Sequence, residues 1–292
     1  MDLCLVGSEM CIRDSNGISS YISRWFCKHS GIRCNCLRRL SNDFRGLIMA
    51  RLDNHFSWKT ATFMAKLAKH AYNKPAAFKK TFKKDWKIKM FKNGGTECYT
   101  LTCPENYIVV FRGTEPTSWE DIKADIQFRK DGGIHRGFKA ALDDIWEDLK
   151  KHYDKNSEGK QLLVTGHSLG AALATLFSAR INDEWSACYT FGSPRTGTPK
   201  VVKQMNFKAY RFRNNNDMVT KVPPEFLGFT HKSDKTTYFD IYGEVKEGYG
   251  RWYMVKQWFK GTWLGLTQFK IDGFSDHGMG NYHHLCEKES KK

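Results

Sequence analysis

One stretch decides the fold: residues 162–177, which read LLVTGHSLGAALATLF. The apolar and β-branched residues at its start predict a strand, and the small residues at its end predict a helix. Ser168 lies between them with a glycine two residues away on either side, which is the spacing of a nucleophile elbow. Such a turn is strained and exposes the serine hydroxyl group. The sequence therefore predicts a nucleophilic Ser168, with the backbone N–H of Leu169 at the helix start facing a developing oxyanion.

Length and composition favour one large domain. The chain has 292 residues, 40% of them hydrophobic, which is enough to bury a single α/β core. Its net charge of +16 favours an anionic partner, such as a phospholipid surface or a nucleic acid. No zinc-type Cys/His spacing and no RNP-like strand is recognisable, so no nucleic acid is expected and anionic lipid is the better prediction. No apolar run reaches the length of about 18 residues that a membrane-spanning helix needs.

The first 48 residues differ from the rest, because they hold five of the 9 cysteines and show little hydrophobic periodicity. Residues 5–15 resemble the translation of an adapter used to build sequencing libraries. We therefore predict that residues 1–15 are not native and that residues 1–48 as a whole are a non-native or disordered leader. A genuine Cys-rich extension is the alternative. A signal peptide is neither seen nor excluded, and we expect residues 49–292 to form the functional domain.

Three elements are predicted ahead of the central motif. A helix begins at Ser57, a candidate N-cap, and ends at the turn formed by residues 73–75. Residues 86–101 alternate in polarity around an Asn-Gly-Gly turn, which predicts a β-hairpin. Residues 107–111 read YIVVF and predict a fully buried central strand.

This strand ends in Phe111-Arg112-Gly113-Thr114-Glu115, and with this motif the chain resembles the class 3 (fungal-type) lipase family. Further matching segments are residues 134–138, 189–195 and 275–282. The resemblance implies an α/β-hydrolase fold, in which a mostly parallel central sheet is flanked by helices and a lid helix is present. The lid maps onto residues 116–126, where ordinary amphipathic packing is the alternative. It also implies that Thr114, through its backbone N–H and hydroxyl, is the second oxyanion donor beside Leu169.

The acid and the base of a catalytic triad are expected after the serine, in the order Ser, Asp, His. A carboxylate in the loop that follows the strand at residues 210–213 is in the position of the acid, and by resemblance this residue is Asp217. A simple Asn/Asp turn is the alternative. The histidines after Asp217 are His231, His277, His283 and His284. The family's terminal motif maps onto His277, whereas the resemblance gives His231 no catalytic role and His135 a structural one.

The resemblance implies a serine carboxylic-ester hydrolase that acts on lipid esters, in the manner of a triacylglycerol lipase. Ser168 would attack the ester, His277 would transfer the proton and Asp217 would orient the imidazole, with no metal or organic cofactor. Phospholipase A1 or diacylglycerol lipase activity is the alternative within the same chemistry. A catalytically silent lipid-binding protein on the same fold is the alternative from another class.

Residues 249–269 combine aromatic side chains with lysine and arginine. This composition suits an interfacial element that lies beside the mouth of the active site and contacts an anionic membrane. A buried amphipathic segment or an added pair of strands explains it equally well. For the localisation, the sequence predicts only that the protein is soluble or peripherally bound to a membrane, without a transmembrane segment.

Overall fold

A computed structural model describes residues 2–6, 9–13, 52, 54–114, 129–246 and 276–292. The chain divides into two compact units, Met1–Met49 and Ala50–Lys292. In the first unit, β1 (Asp2–Val6) pairs antiparallel with β2 (Glu9–Arg13). The predicted lid at residues 116–126 and the aromatic segment at residues 249–269 lie outside the described residues. The non-native origin of residues 1–48 stays a prediction.

The second unit is built on an eight-stranded sheet with the order β12-β11-β10-β9-β8-β5-β4-β3. Its strands are β3 (Lys87–Asn93), β4 (Thr96–Thr102), β5 (Asn106–Phe111), β8 (Gln161–His167), β9 (Ala187–Phe191), β10 (Lys208–Asn214), β11 (Lys235–Phe239) and β12 (Val245–Lys246). The five strands β5, β8, β9, β10 and β11 run parallel to one another. At the two ends of the sheet, β3, β4 and β12 pair antiparallel with their neighbours. A separate short pair joins β6 (Lys130–Asp131) to β7 (Ile134–His135).

Helices cover both faces of this sheet. They are α1 (Trp58–His70), α2 (Pro75–Phe82), α3 (Arg136–Asn156), α4 (Leu169–Ile181), α5 (Pro199–Lys203) and α6 (Met279–Ser290). Helices α3 and α4 pack against one face through a continuous apolar cluster, whereas α1 lies on the other face and packs against α6. Among the helices that the structure describes, none is both long and apolar enough to cross a membrane.

The three elements predicted ahead of the central motif are confirmed. Ser57 caps α1, because its hydroxyl accepts a hydrogen bond of 3.0 Å from the N–H of Thr60. The predicted hairpin is β3 with β4, and all six residues of β5 are buried, as expected of a strand covered on both faces. The mostly parallel sheet flanked by helices confirms the predicted fold class.

The parallel strands bring the candidate site residues to one edge of the sheet. Ser168 directly follows β8, Gly192 directly follows β9 and Asp217 lies three residues beyond β10. Because the carboxyl ends of neighbouring parallel strands lie at the same edge, residues far apart in the sequence come together there. The candidate site therefore lies at this edge of the sheet.

Candidate active site

The turn at Ser168 has the geometry of a nucleophile elbow. Ser168 has φ 57° and ψ −127°, a backbone conformation that is rare outside glycine, and it lies between the last residue of β8 and the first residue of α4. Its N–H donates to the carbonyl of Phe191 at 3.0 Å, which ties the turn to β9. Strain of this kind costs on the order of 1–3 kcal/mol and is concentrated at functional sites.

Two glycines allow the strand and the helix to meet at this turn. A Cβ atom on Gly166 would lie 2.8 Å from the backbone nitrogen of Ala171, and one on Gly170 would lie 2.8 Å from the carbonyl carbon of Arg112. Real Cβ atoms essentially never come so close to backbone atoms. The glycine spacing seen in the sequence therefore reflects close backbone contact between β8, α4 and the end of β5.

Two of the three predicted triad residues are in direct contact. The Nδ1 atom of His277 lies 3.0 Å from both carboxylate oxygens of Asp217. Both residues are buried, since Asp217 is 0% exposed and His277 is 5% exposed. Burial raises the pKa of Asp217, but the charge and the hydrogen bonds supplied by His277 and Tyr282 outweigh this effect, so its pKa lies below the ordinary value.

Asp217 accepts two further hydrogen bonds, which the sequence analysis missed. The hydroxyl of Tyr282 donates to Oδ2 at 2.6 Å, and the N–H of Val219 donates to Oδ1 at 2.9 Å. The same tyrosine oxygen accepts from the N–H of Asn214 at 3.0 Å, which fixes its direction. The ionised carboxylate is therefore held by donors on both oxygens.

Ser168 and His277 are placed on the same edge but are not joined by a hydrogen bond within the described residues. The Nε2 atom of His277 is buried and has no partner among them, and Ser168 is 4% exposed. Gly192, with φ +58°, makes room for the base and the acid, since a Cβ atom there would lie 3.0 Å from His277 Nδ1 and 2.8 Å from Asp217 Oδ2. One nitrogen of the imidazole is thus engaged, and the other is available to receive a proton.

A second histidine, His167, contacts His277. His167 Nε2 donates to the backbone carbonyl of His277 at 2.7 Å, so its Nδ1 accepts from the hydroxyl of Tyr72 at 2.7 Å. The two imidazole rings lie 4.5 Å apart. Burial, together with the neighbouring His277, lowers the pKa of His167 to about 3. His167 is therefore neutral at physiological pH. Its hydrogen bond to the backbone carbonyl of His277 helps to hold His277 in position.

The candidate oxyanion donors, Thr114 and Leu169, follow two neighbouring strands of the sheet. Strands β5 and β8 are parallel, and Phe111 is paired with Gly166 in their register. Thr114 and Leu169 each lie three residues beyond that pair, Thr114 exposed and Leu169 at the start of α4. This register places Thr114 and Leu169 at the same edge of the sheet as Ser168, with Leu169 at the partially positive N-terminal end of α4.

The remaining histidines have other contacts. His231 is half-buried and its Nε2 donates to the carbonyl of Thr220 at 2.9 Å. His135 is the N-cap of α3 and accepts from the N–H of Phe138 at 3.4 Å. His283 is half-buried and His284 exposed on α6. Of the four histidines after Asp217, His277 is the one in contact with it among the described residues.

The parallel sheet, the strained turn at Ser168 after β8 and the position of Asp217 after β10 are features of an α/β-hydrolase fold. Residues 108–227 match the family profile for lipase (class 3). The matched range includes Ser168 and Asp217 and ends before His277.

Named relatives and solved structures agree with this assignment. The chain is 33% identical over 201 residues to a secreted mono- and diacylglycerol lipase, MDL3, of Malassezia globosa, covering 61% of this chain and 64% of that protein. It is 34% identical over 106 residues to secreted mono- and diacylglycerol lipase A of Penicillium cyclopium, covering 35% and 34%. Lipase II of Rhizopus niveus superposes with a TM-score of 0.53 at 25% identity, covering 62% of this chain and 80% of that structure. The chain thus covers less than two thirds of the length of these curated relatives.

Proposed function

We propose that this protein is a serine carboxylic-ester hydrolase that acts on lipid esters, with Ser168 as nucleophile, His277 as base and Asp217 as the orienting acid. One observation carries the proposal: His277 is held at Nδ1 by a buried carboxylate while its Nε2 has no partner among the described residues, and Ser168 occupies an elbow at the same edge of the sheet as that carboxylate. This is the arrangement that a proton-transferring histidine needs.

The proposed reaction has two steps. Ser168 Oγ attacks the ester carbonyl carbon while His277 Nε2 accepts the hydroxyl proton, and the same proton is then passed to the departing alcohol. The negative oxygen of the tetrahedral intermediate lies in front of the N–H groups of Leu169 and Thr114. A water molecule, deprotonated by His277, then attacks the acyl-enzyme carbonyl; the bond between Ser168 Oγ and the acyl carbon breaks, His277 returns the proton to Oγ, and the fatty acid is released. Asp217 stays ionised and stabilises the imidazolium that forms in each step.

Mono- and diacylglycerols are the substrates that we propose, ahead of triacylglycerol. Support comes from the relatives, several of which are named as secreted mono- and diacylglycerol lipases. Phospholipid remains the alternative substrate within the same chemistry, because the net charge of +16 favours anionic surfaces. We also propose peripheral contact with an anionic lipid surface, on the basis of that charge.

Hydrolysis by the full-length protein tests the reaction. We would measure p-nitrophenyl butyrate and palmitate hydrolysis, with and without anionic vesicles, for the wild type, Ser168→Ala and Ser290→Ala. Ser290 is an exposed residue at the end of α6 and serves as the matched serine control. We expect Ser168→Ala to lose activity by about 10⁴-fold or more and Ser290→Ala to retain it.

Two results would contradict the proposal. Hydrolysis at the background rate in both the wild type and Ser168→Ala would favour a lipid-binding protein without catalysis. Fatty-acid release from diacylglycerol, triacylglycerol and phosphatidylcholine, measured side by side, decides the substrate class. Faster release from phosphatidylcholine than from diacylglycerol would reject the acylglycerol proposal while leaving the serine chemistry intact.

A further inference from the structure

A basic cavity lies at the opposite end of the sheet from Ser168. Its volume is about 470 Å³, and it opens between the β3–β4 hairpin and the C-terminal end of α3. Four lysines line it: Lys87 and Lys89 on β3, Lys155 on α3, and Lys160 just before β8. The volume is within the range of small-molecule sites, about 300–1,000 Å³.

The lysines of this cavity are not neutralised by carboxylates. No acidic residue is among those that line it. Within the described part of the chain, none of the four lysines forms an ion pair, whereas nearby Lys92 is paired with Glu97 at 2.6 Å and Lys150 with Asp154 at 2.7 Å. Four lysines therefore line a shared space that has no acidic residue in its lining.

The end of α3 explains only a small part of this clustering. The C-terminal end of a helix carries about half of one negative elementary charge, and lysines near it are favoured for that reason. Lys155 is in the last turn of α3. The two lysines of β3 belong to a different element, and the helix end offsets about one eighth of the four positive charges. A surplus of about three and a half charges remains.

Two lining residues of the cavity, His152 and Asn156, are held in place by hydrogen bonds. His152 Nδ1 lies 2.8 Å from the hydroxyl of Tyr107, and its ring packs edge-on against Phe91 with a centroid separation of 5.4 Å. Asn156 Nδ2 donates to the carbonyl of His152 at 2.7 Å. Burial, together with the charges of Lys89 and Lys155, lowers the pKa of His152, which is consistent with lysines that converge on it.

We propose that this cavity binds a soluble anion that carries two or more phosphate groups. Lysine ammonium groups are compact point charges that bind phosphate oxygens from several directions, and four of them suit more than one phosphate. The cavity also exceeds the size of a single inorganic phosphate. Strand β8 separates the cavity end from Ser168 by about 20 Å at about 3.3 Å per residue, so this ligand is not the substrate of the serine.

Binding of inositol hexakisphosphate to the full-length protein tests the proposal. We would use titration calorimetry at about 0.15 M salt, with inorganic phosphate as a smaller probe, and co-sedimentation with phosphatidylcholine vesicles that contain or lack phosphatidic acid. The double variant Lys87→Gln/Lys155→Gln removes two cavity charges. Its control, Lys79→Gln/Lys80→Gln, removes the same charge from exposed positions on α2.

The site predicts a difference between these two variants. The cavity variant should bind inositol hexakisphosphate at least about tenfold more weakly than the wild type, and the α2 control should differ by less than about twofold. Ester hydrolysis should be unchanged in both. Lys89→Gln/Lys160→Gln provides a second cavity variant if the melting temperature shows that the first is unfolded.

Three outcomes would overturn the proposal. One is the absence of binding by the wild type. Another is equal weakening by the cavity and α2 variants, which would mean that the ligand responds to net charge alone. The third is loss of vesicle binding in the cavity variant without any binding of the soluble probe, which would identify a lipid headgroup as the ligand. Because hydrolysis is measured separately, failure of this site leaves the serine proposal standing.

Discussion

Asp217 is the most constrained side chain of the site. It is fully buried, and its carboxylate accepts hydrogen bonds from His277, Tyr282 and the N–H of Val219. Leaving a buried carboxylate unpaired would cost several kcal/mol, so these donors are what allows the charge to exist there. The anion in turn fixes the imidazole with Nδ1 protonated and Nε2 ready to accept a proton.

Asp217→Asn tests this assignment at the residue scale. An amide keeps the shape but removes the negative charge and permits the wrong imidazole tautomer, so kcat should fall by about 10⁴-fold. The measurement is ester hydrolysis at saturating substrate, with circular dichroism as the control for folding. A variant that stays folded and loses less than about tenfold would contradict the role given to Asp217.

Tyr282→Phe tests the hydrogen bond that the sequence did not reveal. The variant removes one donor from Asp217 and leaves the N–H of Asn214 without its acceptor. Hydrogen bonds to a charged group contribute about 1.5–3 kcal/mol, so we expect a lower melting temperature and a kcat reduced by roughly tenfold, with KM little changed. A raised KM with an unchanged kcat would instead indicate a role in substrate binding.

Some residues of the site can be predicted from the local sequence pattern, whereas others are identified only by contacts between distant parts of the chain. Ser168 is predictable because the glycines of an elbow must be close to it in sequence. Tyr72 and Tyr282 reach His167 and Asp217 through contacts between residues 95 and 65 positions apart. No local periodicity marks such pairs. The role of Asp217 came from resemblance to a family rather than from its neighbours in the chain.

At the scale of elements, the site depends on how closely β5, β8 and α4 approach one another. The glycine positions of the elbow are where their backbones meet. The sequence predicts the order strand, turn, helix, and it also predicts the hairpin and the buried strand β5. It does not by itself give the order of strands in the sheet, because that order depends on pairings between distant segments.

Gly170→Ala tests this close packing, and Gly280→Ala is its control. A methyl group at residue 170 would meet the backbone of Arg112, so something must move, and we expect a loss of about 2 kcal/mol or more in the free energy of unfolding. The same change at residue 280, within α6, meets nothing within 4 Å and should stabilise by about 0.5–1 kcal/mol. Chemical denaturation measures both, and equal effects would refute the packing argument.

At the scale of the whole molecule, buried histidines set the response to acid. Burial lowers the pKa of His135 to about 4 and, with His277, that of His167 to about 3, and it places that of His231 well below its usual value. In the unfolded chain these groups titrate near about 6.5. Between these values the unfolded chain binds more protons than the folded one, so the free energy of unfolding decreases as the pH falls.

This difference in proton binding determines how the free energy of unfolding should depend on pH. The contribution of these histidines is fully present above about pH 6.5 and is lost as the pH falls towards 4, by about 1.4 kcal/mol per pH unit for each histidine that stays neutral. The lowered pKa of Asp217 adds a loss at lower pH, below about 4. Urea denaturation between pH 4 and 8 measures the profile. A flat free energy of unfolding between pH 6.5 and 4.5 would show that these histidines are protonated in the folded protein.

The central claim is that Ser168 is a nucleophile activated by His277. The most direct measurement is covalent labelling of the full-length protein with a fluorophosphonate, followed by mass spectrometry of the peptides. We predict one label per chain, attached to Ser168, and a labelling rate that falls by at least about a hundredfold in His277→Ala. A label on another residue, or equal labelling rates in the wild type and His277→Ala, would contradict the account.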